Sequence, residues 1–289
     1  MPIPLKDNVP TLRFPIVTVL LIVANVCVFV WQLSFSGDQE SPEVSRAGIE
    51  GLSERDQNSI EYGAIPYRLL NPGRDCAVGA VSSSEADVVC EGTDPYREAE
   101  LASRTDPSSG FVPLDEAAWW LTILTSMFMH GGLLHIGFNM LFLWIFGNNI
   151  EDRMGRGRFL IFYLLAGAAA VYAQSALDPG STVPTIGASG AVAGVLGAYL
   201  LLLPRAKVLT LIFIVFFVTL VEIPAYVMLG IWFVLQFLPA IGQVATPDLA
   251  EGGVAYFAHV GGFLFGLALV KLFIAGRAPL GTAPPSPAR

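Results

Sequence analysis

Ser189 and His259 are the residues of this chain whose types and settings could do covalent chemistry. Ser189 stands in Thr185-Ile-Gly187-Ala-Ser189-Gly190, which opens an apolar helical run reaching Leu203, and His259 stands a few residues into another apolar run, Val254 to Leu272. A hydroxyl and an imidazole within reach of one another make a nucleophile and its general base. A third run carries His135 and Asn139, four residues apart and so on one helical face, where N–H donors can meet the oxyanion of a tetrahedral intermediate. His130 precedes His135 by five residues, and on a continuous helix the two would diverge by about 140°, which favours a His135/Asn139 donor pair over a two-histidine clamp. Apolar spans offer no aspartate to orient His259, so the expected unit is a dyad.

Singly these signals are weak. A G-x-S-G on an apolar helix is commonly a small-residue packing site, and one histidine in a membrane segment is commonly a hydrogen-bonded structural residue. Their combination on three separate elements is what points to catalysis. No metal or cofactor is expected: H-E-x-x-H is absent, and a site built from the chain's three histidines would leave Ser189 and Asn139 without a role.

The elements that must position these residues are membrane spans. With 54% hydrophobic and 14% charged residues over 289 positions, the chain is far more apolar than a soluble globular average. The net charge of -8 is unevenly spread, since 17 of the 24 acidic residues lie between Asp38 and Glu116 against six arginines. That acidic block offers no basic patch for nucleic acid. Six spans are expected in an all-α polytopic bundle with a long outer first loop. Residues 1–13 form a cytoplasmic lead, 14–275 the membrane domain with residues 36–116 as an outer insertion, and 276–289 a disordered Pro-rich cytoplasmic tail.

Phe14 to Phe35 is uncharged and ~33 Å long as a helix, enough to cross the hydrocarbon as a retained anchor, with Lys6 and Arg13 holding its start inside. The block that follows lacks the apolar periodicity of a sizeable core and reads as a loosely folded loop with a docking patch at Tyr62 to Tyr67. Cys76 and Cys90 lie in it, on the oxidising side, and are expected to pair; Cys27 is a packing residue. Ala117 to Ile150 is too long for one helix and divides at His130-Gly-Gly132 into a half-inserted segment anchored by Trp119 and Trp120 and a second span, Leu133 to Asn149. Arg153, Arg156 and Arg158 put the next turn inside.

Phe159 to Ala176 and Ile186 to Leu203 give the third and fourth spans. Glu222 is costly at mid-bilayer, so Val208 to Leu220 is expected to lie in the inner interface, with Pro224 to Pro239 as the fifth span. Residues 242–253 are then outside, and the sixth span returns inward. The fourth and sixth spans both enter from outside, which sets Ser189 and His259 at one depth. Gly190 with Gly194, and Gly262 with Gly266, let those two helices approach closely.

In order along the chain, Met129-His130-Gly-Gly-Leu-Leu-His135-Ile-Gly-Phe-Asn139, Glu151-x-Arg153, Gly187-Ala-Ser189-Gly190 and Ala258-His259-Val-Gly-Gly262-x-x-x-Gly266 resemble the signature of the rhomboid family of intramembrane serine proteases. The resemblance implies a six-helix fold with Ser189 as nucleophile and His259 as base. It implies an oxyanion site of His135, Asn139 and the Ser189 backbone N–H. By the same carry-over His130 is a structural residue of the outer loop, Glu151 and Arg153 brace the inner end of the second span, and Ala117 to Met129 belongs to a membrane-dipping first loop. Many rhomboids stack an aromatic, four residues after the serine, on the catalytic histidine; this chain has Ala193, which leaves open what packs on His259. The acidic insertion is also outside the minimal pattern.

The implied substrates are transmembrane proteins whose spans carry helix-weakening residues, with small residues at the cut, met in the lipid bilayer of a cell membrane with the site opening outward. A catalytically inactive relative acting as chaperone or adaptor would share the fold, but this chain keeps both Ser189 and His259. A transporter would show repeat symmetry or several charged spans, and neither is present.

Overall fold

The computed structural model describes residues 3–276 except 38, 40, 48, 50, 80–86, 107–109, 215–216 and 246–253. The expected tail beyond residue 276 and most of the outer turn expected over 242–253 lie outside the described residues. The rest is mostly helical.

The chain opens with strand β1 (Ile3–Asp7), where a simple polar lead was expected, and enters helix α1 (Ile16–Gln32). The Glu151 carboxylate accepts from the Val17 and Thr18 N–H groups and the Thr18 hydroxyl, satisfying donors that an uncapped helix start leaves open. The described residues of 36–116 form a folded unit rather than the loose loop expected from their composition. Four short helices, α2 (Pro42–Arg46), α3 (Glu54–Tyr62), α4 (Pro66–Leu70) and α5 (Asp94–Thr105), surround an antiparallel sheet of β2 (Cys76–Gly79), β3 (Asp87–Cys90) and β4 (Phe111–Pro113) in the order β3-β2-β4. Val44, Ile49, Ile60, Ile65, Val78 and Val112 form its core, too widely spaced along the sequence to show a period. Ser53 and Asp56 close a capping box at the start of α3. Cys76 and Cys90 stand opposite one another on β2 and β3 and are joined as a disulfide.

The segment read as half-inserted is helix α6 (Trp119–Thr125) with a 3-10 turn, Ser126–Phe128. Trp119 packs with Ala64, Leu69 and Val171, so it ties the insertion to the bundle, while Trp120 is exposed. Helix α7 (Leu133–Phe142) continues through a π-helical turn into α8 (Asn148–Met154). Gly155, at φ +77°, makes the sharp reversal into α9 (Arg156–Leu177). Helix α9 buries Phe159, Phe162, Tyr163, Ala166, Ala170 and Val171, one face at helical spacing. Helix α10 (Ser189–Leu202) is buried on all sides from Gly190 to Tyr199.

The main departure from an all-α bundle follows. Val208 to Leu220, expected to lie in the interface of an all-α bundle, belongs to two antiparallel strands, β5 (Lys207–Ile214) and β6 (Phe217–Pro224), and β1 joins the other edge of β5 in the order β1-β5-β6. The run Lys-Val-Leu-Thr-Leu-Ile-Phe-Ile is rich in β-branched and aromatic residues and has no glycine, which suits a strand better than a helix. Glu222 is exposed and pairs with Lys207 at 3.1 Å across β5 and β6. Asp7 links this sheet to the bundle, accepting from Asn149 Nδ2 at 2.7 Å and from the Tyr199 hydroxyl. Helix α11 (Ala225–Ala245), with Pro239 inside it, and α12 (Tyr256–Ile274) complete the fold.

Four described helices are long and apolar enough to cross a membrane: Leu133–Met154, Arg156–Leu177, Ala225–Gly242 and Tyr256–Ile274. Helices α1 and α10 are apolar but shorter, at 17 and 14 residues.

Candidate active site

Lipid tails are as apolar as leucine, so helices in a membrane are held by close packing rather than by water exclusion. Helices α10 and α12 meet where side chains are missing. A methyl group on Gly262 would overlap the Gly190 carbonyl oxygen, and one on Gly266 would overlap that of Gly194. On its other side α10 rests on α9, with Ala170 against Gly190 and Ala166 against Gly194. The four glycines therefore set how near Ser189 comes to His259.

That approach is a hydrogen bond: Ser189 Oγ to His259 Nε2, 2.7 Å. Ser189 is the first residue of α10, so its N–H and that of Gly190 belong to the first helical turn and lack intrahelical acceptors. Gly187, two residues earlier, has φ +121°, a conformation that L side chains rarely adopt. Two contacts fix the backbone here. Gly187 N–H donates to Ser126 O at 2.8 Å, and Thr185 exchanges both backbone hydrogen bonds with Ala64 of the insertion at 3.1 and 2.9 Å.

His135 faces this turn. Gly131 N–H donates to His135 Nδ1 at 3.3 Å, which leaves the ring proton on Nε2. An atom placed where a Gly187 Cβ would be lies 2.7 Å from His135 Nε2 and 3.7 Å from Ser189 Oγ. The ring N–H therefore points into a space beside Ser189 that is open only because residue 187 is glycine. Asn139, one turn along, is buried and spends one amide proton on His135 O at 2.9 Å, leaving the other.

His130 does not diverge from His135 as a continuous helix would require. Helix α7 begins only at Leu133, so the two rings lie edge to face with centroids 5.0 Å apart. His130 N–H donates to Gln32 Oε1, and its Nδ1 lies 3.2 Å from Phe128 O, tying the end of α1 to the turn before α7. Glu151 stands at the opposite end of the bundle against the start of α1, and Arg153 is half-buried on the same helix, α8. Cys76 and Cys90 lie in the insertion, away from the serine.

The sequence reading missed Gln236 of α11, whose Oε1 lies 2.7 Å from His259 Nδ1. The available signal was an amide in an otherwise apolar span, where polar groups are expensive. Trp232, one turn before it, brings its ring to 6.1 Å from the His259 ring and 5.9 Å from Phe263, an aromatic neighbour supplied from α11 where position 193 on α10 is alanine. Ser189, His259, His135, Asn139 and Gln236 border a cavity of about 870 Å³, whose walls include Pro66 of the insertion, Phe138, Val183, Ile186 and Trp232.

The family pattern described as Rhomboid domain matches residues 117–276. The "Rhomboid protease GluP" of Bacillus subtilis is 42% identical over 85 residues, 29% of this chain and 16% of that protein. "Rhomboid protein 1, mitochondrial" of Saccharomyces cerevisiae is 33% identical over 152 residues, 51% of this chain and 40% of that one. The human "Presenilin-associated rhomboid-like protein, mitochondrial" is 30% identical over 149 residues, 50% and 36% of the two chains. The chain thus spans less than half the length of these curated relatives. With more than half of its residues inside the matched domain, the chain belongs to the rhomboid family.

Proposed function

We propose that this protein is an intramembrane serine endopeptidase, hydrolysing peptide bonds in or near the transmembrane segments of other membrane proteins. The observation that carries the reading is the 2.7 Å bond between Ser189 Oγ and His259 Nε2 in a cavity bordered by backbone and side-chain N–H donors. Ser189 Oγ attacks the scissile carbonyl as its proton passes to His259 Nε2. The oxyanion is held by His135 Nε2–H, the remaining Asn139 amide proton and the Ser189 N–H. His259 then protonates the departing amine, and a water that it deprotonates releases the acyl group from Ser189, restoring the enzyme. Metal and cofactor take no part. A helical carbonyl is shielded, so substrate spans that unwind readily, with small residues at the cut, are favoured.

Six crossings accompany this reading, with both termini inside and the insertion outside. Helix α10, at 14 residues and ~21 Å, is short for a ~30 Å hydrocarbon core. It is surrounded by protein, so it need not match the bilayer, and starting at Ser189 below the outer surface lets water reach the serine from outside. The Arg153, Arg156 and Arg158 cluster marks the cytoplasmic side. We assign the protein to a plasma or inner membrane, and cysteine-accessibility mapping tests this: labelling of residues 54–62 from the cytoplasmic side overturns it.

The central test is cleavage of a membrane-spanning reporter by the purified protein. Ser189→Ala and His259→Ala each abolish cleavage, and the double variant is no worse, because the two act as a unit. A fluorophosphonate labels Ser189 in the wild type alone, and chelators leave turnover unchanged. Wild-type cleavage by folded Ser189→Ala would refute the assignment.

A further inference from the structure

We propose that Gln236 is the positioning residue of this site: its side-chain oxygen accepts the Nδ1 proton of His259 and fixes the tautomer whose Nε2 is free to take the Ser189 proton. This rests on the proteolytic reading of the Ser189–His259 pair. A dyad has a difficulty that a triad solves. A neutral imidazole has two tautomers, and only the one protonated on Nδ1 can act as a base at Nε2. Among the described residues no aspartate contacts the His259 ring to select between them, and position 193, four residues after the serine, is an alanine that cannot clamp the ring.

Helix α11 supplies what is missing on both counts. Gln236 Oε1 is 2.7 Å from Nδ1, on the far side of the ring from Ser189 Oγ at Nε2, so the imidazole is held at both nitrogens. Trp232 is four residues earlier and therefore on the same face, where its indole lies 6.1 Å from the ring. Val234, Leu235, Phe237 and Leu238 around Gln236 are all exposed apolar residues. An amide among them is costly unless it is hydrogen-bonded, and its partner is His259. Phe233 against Phe263, with ring centroids 4.7 Å apart, docks this stretch of α11 on α12 one turn from the histidine.

The direction of the hydrogen bond is decisive. With the oxygen toward Nδ1, glutamine does what an acceptor-only carboxylate would do. With the amide turned, Nδ1 would accept, Nε2 would carry the proton, and Ser189 could not be deprotonated.

Gln236→Leu keeps the volume and removes the acceptor, whereas Gln236→Glu keeps the acceptor and cannot donate when ionised. Two readouts separate this proposal from the proteolytic reading: the rate at which a fluorophosphonate labels Ser189, and steady-state cleavage of the reporter, each with the thermal transition as fold control. For Gln236→Leu the labelling rate and kcat fall about ten- to a hundredfold with KM unchanged, at the low end of what a mis-set general base costs. Gln236→Glu recovers both to within a few-fold of wild type. Three results would overturn the proposal: Gln236→Leu within about twofold of wild type, a rise in KM with kcat unchanged, or a Glu variant as impaired as Leu in both assays. If the wild type is labelled yet cuts no reporter, the protease assignment fails, while the labelling series still decides the role of Gln236.

Discussion

Gly187→Ala tests whether His135 acts as an oxyanion donor. The added methyl meets His135 Nε2 at 2.7 Å and Cε1 at 2.8 Å, closer than carbon and ring atoms sit without displacement. Position 187 is also at φ +121°, where a side chain is strained by ~1–3 kcal/mol. The strain acts on stability, while displacement of the ring acts on turnover. Loss of one full oxyanion donor costs about 10² to 10³ in kcat, so Gly187→Ala and His135→Ala should each fall in that range. The double variant separates the two mechanisms. If the methyl works by pushing the imidazole away, the second change finds nothing left to remove, and Gly187→Ala/His135→Ala has the kcat of His135→Ala. The assay is steady-state cleavage of a membrane-spanning reporter in detergent micelles, with the thermal transition recorded for each variant. Wild-type kcat in Gly187→Ala would refute the reasoning, as would losses that multiply in the double variant, which would place the effect in the backbone.

Two further predictions concern the insertion. Replacing Cys76 and Cys90 by serine opens a link across a sequence separation of 14, worth about 3 kcal/mol in loop-closure terms; melting of the insertion should shift accordingly, while cleavage persists where the insertion remains folded, because neither cysteine reaches the site. Limited proteolysis beside the cleavage assay checks this, and loss of turnover with the insertion intact would contradict it. Burial pushes the Glu116 carboxyl up to about 7, against the lowering pull of the Cys76 N–H and the Arg68 guanidinium. The folded chain then holds a proton that the unfolded chain has released between about pH 4.5 and 7, so stability is fully present below that window and declines as pH rises through it. Glu116→Gln should flatten this decline in denaturation midpoints measured from pH 4 to 8, and an unchanged slope would remove Glu116 as its source.

Elements that bear on the membrane were legible because lipid imposes simple rules. Length without charge marks spans, arginines mark the inner side, and small residues four apart mark contact faces. These rules gave the helical runs around His135, Ser189 and His259, and they foresaw the glycine seam between α10 and α12. The same rules left the strands within Val208 to Leu220 unseen under an all-α expectation, because an apolar run of that length has no periodicity to separate strand from helix. Its β-branched composition was the available clue. The insertion was misread for the opposite reason. Its core draws one or two residues each from α2, α3, β2, β3, β4 and the loops between them, so no window of sequence shows a pattern, and the pairing of Ala64 with Thr185 is between residues 121 positions apart.

Gln236 escaped the reading although its signal was of the kind already applied to histidine and glutamate. An ionisable residue in a span was taken as functional by default, whereas a neutral amide among Val, Leu and Phe passed as part of an apolar run. The cost argument makes no such distinction, since a buried amide without a partner is penalised by several kcal/mol in a hydrocarbon setting. Applied evenly, it asks of every amide in a span what accepts or donates to it. Asn139 finds a backbone carbonyl and the cavity, Asn25 finds the Leu21 carbonyl, and Gln236 finds an imidazole nitrogen. Only the last case differs in kind: the carbonyls four residues back that Asn139 and Asn25 meet are local helix chemistry, while a ring on another helix is a tertiary contact that sequence spacing cannot reveal. What the sequence withheld was therefore the partner, and that 2.7 Å contact with His259 is what the proposal for Gln236 is built on.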